Sequence, residues 1–195
     1  MALRLIVLAV LFALAPLAFA QTMMGLPAHS SSFSGSVRGY YFTAPTDFTI
    51  TGLRVPTDAS TAGQTIEVVR LTAAPPAYPT TTNSFTQLYR VVDNQTTNVL
   101  TVNIAVASGD VIGILGWRGT SNSYGTGPYN TAIGSFGVTL HRMGMQYNLN
   151  TTPAQELWTE ASSISRVEMY YTLGPTLTVA TTAGTAQDVY ANDTG

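Results

Sequence analysis

From Ser36 onward the apolar residues of this chain recur at every second position, in short runs closed by Gly, Pro, Asn, Asp or Ser. Nine such runs stand out: Ser36 to Phe42, Phe48 to Val55, Thr65 to Leu71, Phe85 to Val92, Val99 to Val106, Val111 to Gly116, Ile133 to His141, Val167 to Thr172 and Leu177 to Thr182. All are rich in the β-branched and aromatic side chains that suit a pleated surface. A strand that is apolar on one side must bury that side against another layer, so the pattern predicts an all-β chain. The form expected is an antiparallel β-sandwich, jelly-roll-like, of about nine strands. Alternation is cleanest in Leu100, Val102, Ile104 and Val106, with Thr101, Asn103 and Ala105 on the other face. After them, Ser108-Gly109-Asp110 reads as a tight turn, because Gly accepts the positive φ such turns need, and it makes the two flanking strands expected partners.

The chain has no cysteine, so a sandwich of this kind must hold through core and sheet pairing alone. Its 195 residues, 45% of them hydrophobic, are enough for one real core and exclude a disordered chain. Charged residues make up only 9%, against roughly 25% in average soluble domains, and all eight basic residues are Arg. One of them, Arg4, opens a leader. Leu5 to Ala15 follows as an apolar run, Pro16 breaks it, and Ala18-Phe19-Ala20 is a small-x-small cleavage site. The run is too short for a hydrocarbon core ~30 Å thick, so 1–20 is expected to be a signal peptide, with no membrane insertion after cleavage. Removing it leaves seven Arg against ten carboxylates, a net charge of −3, which offers no field for nucleic acid or for an acidic lipid surface. The expected plan is a flexible mature N-terminus over 21–35, a sandwich over 36–182 and a tail over 183–195, in a secreted or cell-surface protein.

Irregular segments are few. Thr72 to Ser84 carries Pro75, Pro76 and Pro79 and reads as an extended loop, and Arg118 to Thr131 reads as a second loop rich in Gly, Ser, Asn and Tyr. Thr152 to Ile164, with Pro153 at its start, fits a short helix or an ordered loop equally well. Gly39, Gly52, Gly113 and Gly137 interrupt apolar runs and mark bulges, bends or close approach of a ligand.

No catalytic residue is assigned. His29 and His141 stand next to no nucleophile in sequence, and no G-x-S-x-G elbow occurs. A hydrolase would have to draw on Glu156, Glu160 and Glu168, and the first two, four residues apart, would share a solvated helix face. Two distant histidines and no cysteine give no zinc or copper set. For a structural Ca²⁺, the one cofactor considered, the candidate ligands are Asp58, Asp93, Asn94 and Asp110 at strand ends, where turn formation explains them equally well. The richer constellation is aromatic: Trp117 and Arg118, then Asn122, Tyr124 and Tyr129 in the following loop, with Trp158 in the other irregular segment. Flat rings beside amide and guanidinium donors are what a sugar surface requires, and a core role for Trp117 is the alternative.

The stretch from Tyr41 through Thr43-Ala44-Pro45-Thr46-Asp47 to Pro56, followed by Ser108 to Ile114, resembles the exported β-sandwich modules of bacterial surface proteins. The resemblance implies a cell-surface or matrix role, although Thr181 to Gly195 shows no anchoring motif of such proteins. Two functions are therefore expected. The first is a non-enzymatic structural or adhesive extracellular protein that associates with itself or with matrix. Its contact strand would be Leu177 to Thr182, with Leu177 and Val179 as contacts, because no charged residue or proline lies within those six residues to blunt the edge. The alternative is a carbohydrate-binding module that uses the aromatic loop.

Overall fold

A computed structural model describes residues 21–174, so the leader, the strand expected at Leu177 to Thr182 and the tail lie outside the described residues. Within them the protein is all-β, with no helix and fourteen strands in antiparallel sheets. They are β1 (Thr22–Met23), β2 (Ser31–Ser34), β3 (Arg38–Thr43), β4 (Phe48–Arg54), β5 (Gln64–Leu71), β6 (Phe85–Asn94) and β7 (Leu100–Val106). The second half supplies β8 (Val111–Arg118), β9 (Ser121–Gly125), β10 (Tyr129–Ile133), β11 (Phe136–Gly144), β12 (Trp158–Thr159), β13 (Ile164–Ser165) and β14 (Glu168–Leu173). The smaller sheet runs β1-β14-β4-β7 and the larger runs β10-β11-β3-β8-β5-β6, with β12 paired to β11, β9 to β8, and β2 and β13 to β9.

The period-two reading puts the core where it falls. Tyr40 and Phe42 of β3, Ile50 and Leu53 of β4, Ile66 and Val68 of β5, Ile112 and Ile114 of β8 and Leu140 of β11 meet Met169 and Tyr171 of β14 in one buried cluster between the sheets. In β7, Ile104 and Val106 are buried while Thr101, Asn103 and Ala105 are exposed, as the alternation requires. The larger sheet has a second buried cluster on its other face. There Val69, Leu71, Leu115, Trp117 and Met143 lie under Met145, Leu149 and Leu157. The cover is two irregular segments laced together, since Thr82 bridges Leu157 and Ala77 bridges Thr159. Thr152 to Ile164 is thus a covering loop with two short strands rather than a helix, and the Thr72 to Ser84 loop is part of the same layer.

Two expectations are corrected. The turn at Ser108-Gly109-Asp110 forms, with Gly109 at φ +88°, but its flanking strands are not partners. β7 pairs with β4 in the smaller sheet and β8 with β3 and β5 in the larger. The turn instead carries the chain across the end of the sandwich, where Gly109 N–H donates to Ala44 O and Ala44 N–H to Asp110 O. A tight turn fixes a reversal, and long-range burial chooses the partner. Nor is 21–35 a loose arm: β1 pairs with β14, β2 pairs with β9, and Met24 is buried in the main core. Met24 lies between the exposed Met23 and Gly25 and gave no periodic signal, yet its burial pins the segment.

Candidate functional site

The backbone of β11 builds the site by changing partners. Its first half pairs with β10 as far as Leu140↔Tyr129, and its end pairs with β12 from Met143↔Thr159. Between the two, His141 and Arg142 have no strand on that side, and a groove opens there with a volume of about 280 Å³. On the opposite side of β11 the register sets His141 against Tyr41 of β3. The two rings stack with centroids 5.3 Å apart and form an aromatic floor. Arg142 and Glu160 form one wall as an ion pair at 3.0 Å, and Pro128 and Ala77 close the sides. Thr159 lines the groove as well, and its Oγ1 donates to Arg142 O at 2.6 Å.

A rigid cluster behind this wall fixes Arg142. Its Nη1 donates to Ser162 Oγ and Ser163 O and its Nη2 to Tyr124 Oη. The guanidinium of Arg142 stands over the Tyr124 ring at 5.2 Å, that of Arg38 over Trp158 at 4.7 Å, and Phe33 stacks on Tyr124 at 5.8 Å. Arg38 itself donates to Val37 O and Met145 O, and burial lowers its tendency to stay protonated. Burial likewise pushes the Tyr124 phenol up, against the pull of Arg142. Cation–π contact of this kind orders long side chains without exposing them.

The aromatic residues singled out in the sequence divide accordingly. Trp117 is fully buried in the second core, its Nε1–H donating to Asn150 Oδ1 at 2.8 Å, so its ring offers no face to a ligand and the core alternative holds. Arg118 is also buried, donating to Val55 O, Ala62 O and Thr96 O. Asn122 is spent on backbone, accepting from Arg38 N–H and donating to Phe33 O and Ser36 O. Tyr124 and Trp158 come together in the cluster behind the groove, with Trp158 buried, while Tyr129 packs half-buried against the main core. The segment expected to be a binding loop holds β9 and β10, which pair with β2 and β11.

The other candidates do not converge. Glu156 accepts from Tyr147 Oη, Glu168 is gripped by Arg54, and Glu160 belongs to Arg142. Among the calcium candidates, Asp110 is paired with Arg70 at 2.9 Å, Asp58 with Arg166, and Asn94 Oδ1 accepts from Thr96 N–H. Asp93, near the end of β6, itself takes a positive φ of 49° and lies against Gly63. Among the described residues no three His, Asp or Glu side chains are grouped to hold an ion. His29 does lie beside a serine, with Nδ1 3.0 Å from Ser123 Oγ, but Ser123 is fully buried and also meets Arg166 and Asp58. Tyr41 and His141 were missed as a pair because Tyr40-Tyr41-Phe42 is aromatic throughout, which hides the outward position. The signal that does exist is parity: His141 follows the core residue Leu140. The chain matches no protein-family model, no curated protein and no solved structure.

Proposed function

We propose that the protein is a secreted, non-enzymatic adhesion module that binds carbohydrate in the groove over Tyr41 and His141. The observation that carries this reading is the groove itself: a stacked aromatic floor beside an Arg142–Glu160 couple. The apolar face of a pyranose packs on such a floor, while its hydroxyls can donate to the exposed Glu160 carboxylate at the side, which the buried Arg142 holds in place. Secretion follows from the leader pattern at Arg4 to Ala20. The strand orders β1-β14-β4-β7 and β3-β8-β5-β6, with β9 to β13 inserted ahead of the last strand, support a jelly-roll-like form of the sandwich.

Adhesion is assigned to the groove rather than to self-association through a strand edge. The longest edge strand among the described residues, β6, breaks register twice along its ladder with β5, and such irregularity discourages addition of a further strand.

The test is a glycan-array screen of the protein, followed by titration of the bound glycan with the Tyr41→Ala and His141→Ala variants. Each substitution is expected to weaken binding by about tenfold or more, about 1.4 kcal/mol, while the circular dichroism spectrum stays native. His141 is exposed, so its variant reports on binding without disturbing the core. No glycan bound by the native protein, or full binding by both folded variants, removes the reading.

A further inference from the structure

The aromatic floor is shared by two hollows. Beyond the one described, a second of about 370 Å³ is lined by Tyr41 and His141 again, together with Thr43, Thr139 and Gly137. The stacked pair therefore stands in the middle of a longer trough running along β3 and β11, not at the end of a closed pocket. From Gly137 to Arg142 β11 advances five residues, about 17 Å at ~3.4 Å per residue. With carbon–carbon bonds near 1.5 Å a pyranose unit in a chain spans roughly 5 Å, so the trough has room for about three. The chemistry along it is graded: the ion pair at one end, aromatic rings at the centre and two threonines at the other end. Its charge balances, because Arg142 is matched by Glu160, whose side chain is 41% exposed and meets an incoming ligand first.

Resting on the carbohydrate reading above, we infer that the ligand is an uncharged oligosaccharide of at least three sugar units, held by the interior of its chain across the Tyr41–His141 pair. A monosaccharide or disaccharide occupies one hollow and leaves the other empty. An acidic chain would bring its carboxylates against Glu160, and only the single guanidinium already bound to Glu160 could answer them.

Calorimetric titration with gluco-, xylo- and manno-oligosaccharides of two to six units, and with oligogalacturonates of the same lengths, tests this. In the neutral series that binds, affinity should rise at least tenfold from the dimer to the trimer or tetramer and then level off, and the galacturonates should bind at least tenfold more weakly. Gly137→Trp, which fills the second hollow where nothing lies within 4 Å of a Cβ, should abolish the gain with length. Equal affinity for dimer and tetramer, or a preference for galacturonate, overturns the inference and leaves the carbohydrate reading standing. Absence of binding to every oligosaccharide here and to every glycan on the array overturns both.

Discussion

The outer face of the larger sheet is treated in two ways. Over β5 and β8 it is sealed beneath the 145–157 segment; over β3 and β11 it stays open and forms the trough. The difference follows from the residues that point outward. Val69, Leu71, Leu115 and Trp117 present an apolar surface that must leave water, and burying each large side chain is worth about 1.5–3 kcal/mol. Thr43, Thr139 and His141 present groups that water already satisfies, so no covering chain is drawn over them. Polar anchors hold the cover down: Asn150 Oδ1 accepts from both Trp117 Nε1 and Thr65 Oγ1, and Glu67 accepts from Ala154 N–H while paired with Arg90 at 3.1 Å. One sheet face is thus closed into core at one end and left open at the other, where the proposed ligand would sit.

If the covered half is core, Trp117→Ala should cost about 3–5 kcal/mol, since it empties a fully buried site and removes one of the two donors to Asn150 Oδ1. Urea unfolding measures this, and a loss below about 1 kcal/mol would mean the cover is only loosely attached. Gly113 and Gly137 sharpen the contrast. A Cβ on Gly113 would stand 2.6 Å from Met143 Cε and 2.9 Å from Val69 Cγ2, so Gly113→Ala should cost about 1–3 kcal/mol through overpacking. Gly137→Ala meets nothing on the open half and should leave stability unchanged or raise it by about 0.5–1 kcal/mol, as replacing a strand-interior glycine does. Equal costs at the two positions would break the comparison.

A smaller effect is expected from pH. Burial holds the Glu67 carboxyl above its ordinary value of 4.5, outweighing the Ala154 N–H and Arg90, which pull it down. A folded-state pKa above the unfolded one means that the group's contribution is fully present below that ordinary value and is lost as pH rises through the folded one. Glu67→Gln removes the dependence, so the stability of this variant relative to the native protein should increase between about pH 4 and pH 7. Unfolding curves at the two pH values check it. A constant or falling difference would show that Arg90 rather than burial governs the site.

Much of this was legible in the chain. Alternation located eight of the strands closely enough to place Ile104, Ile112, Ile114 and Leu140 in the core, because burial on one face of a sheet imposes period two whatever the fold. The short strands β1, β2, β9, β10, β12 and β13 were not legible, since two to five residues carry no period and their pairing is set by what they lie against. The site fared likewise. The aromatic surface expected around Trp117 does not form, because Trp117 is core; the stacked pair that lies outward beside Arg142 is Tyr41 and His141, one hundred residues apart in sequence.

The sequence by itself determined the class, the inward faces and the absence of disulfides, because these depend on residue type and local spacing. Only the tertiary structure decided that β7 and β8 part at their turn, that β11 exchanges β10 for β12 around His141, and that one half of a sheet face is covered while the other is left open. Each of those is settled by pairing and burial between residues far apart along the chain, where the energy of a choice belongs to the partners jointly and to neither segment alone.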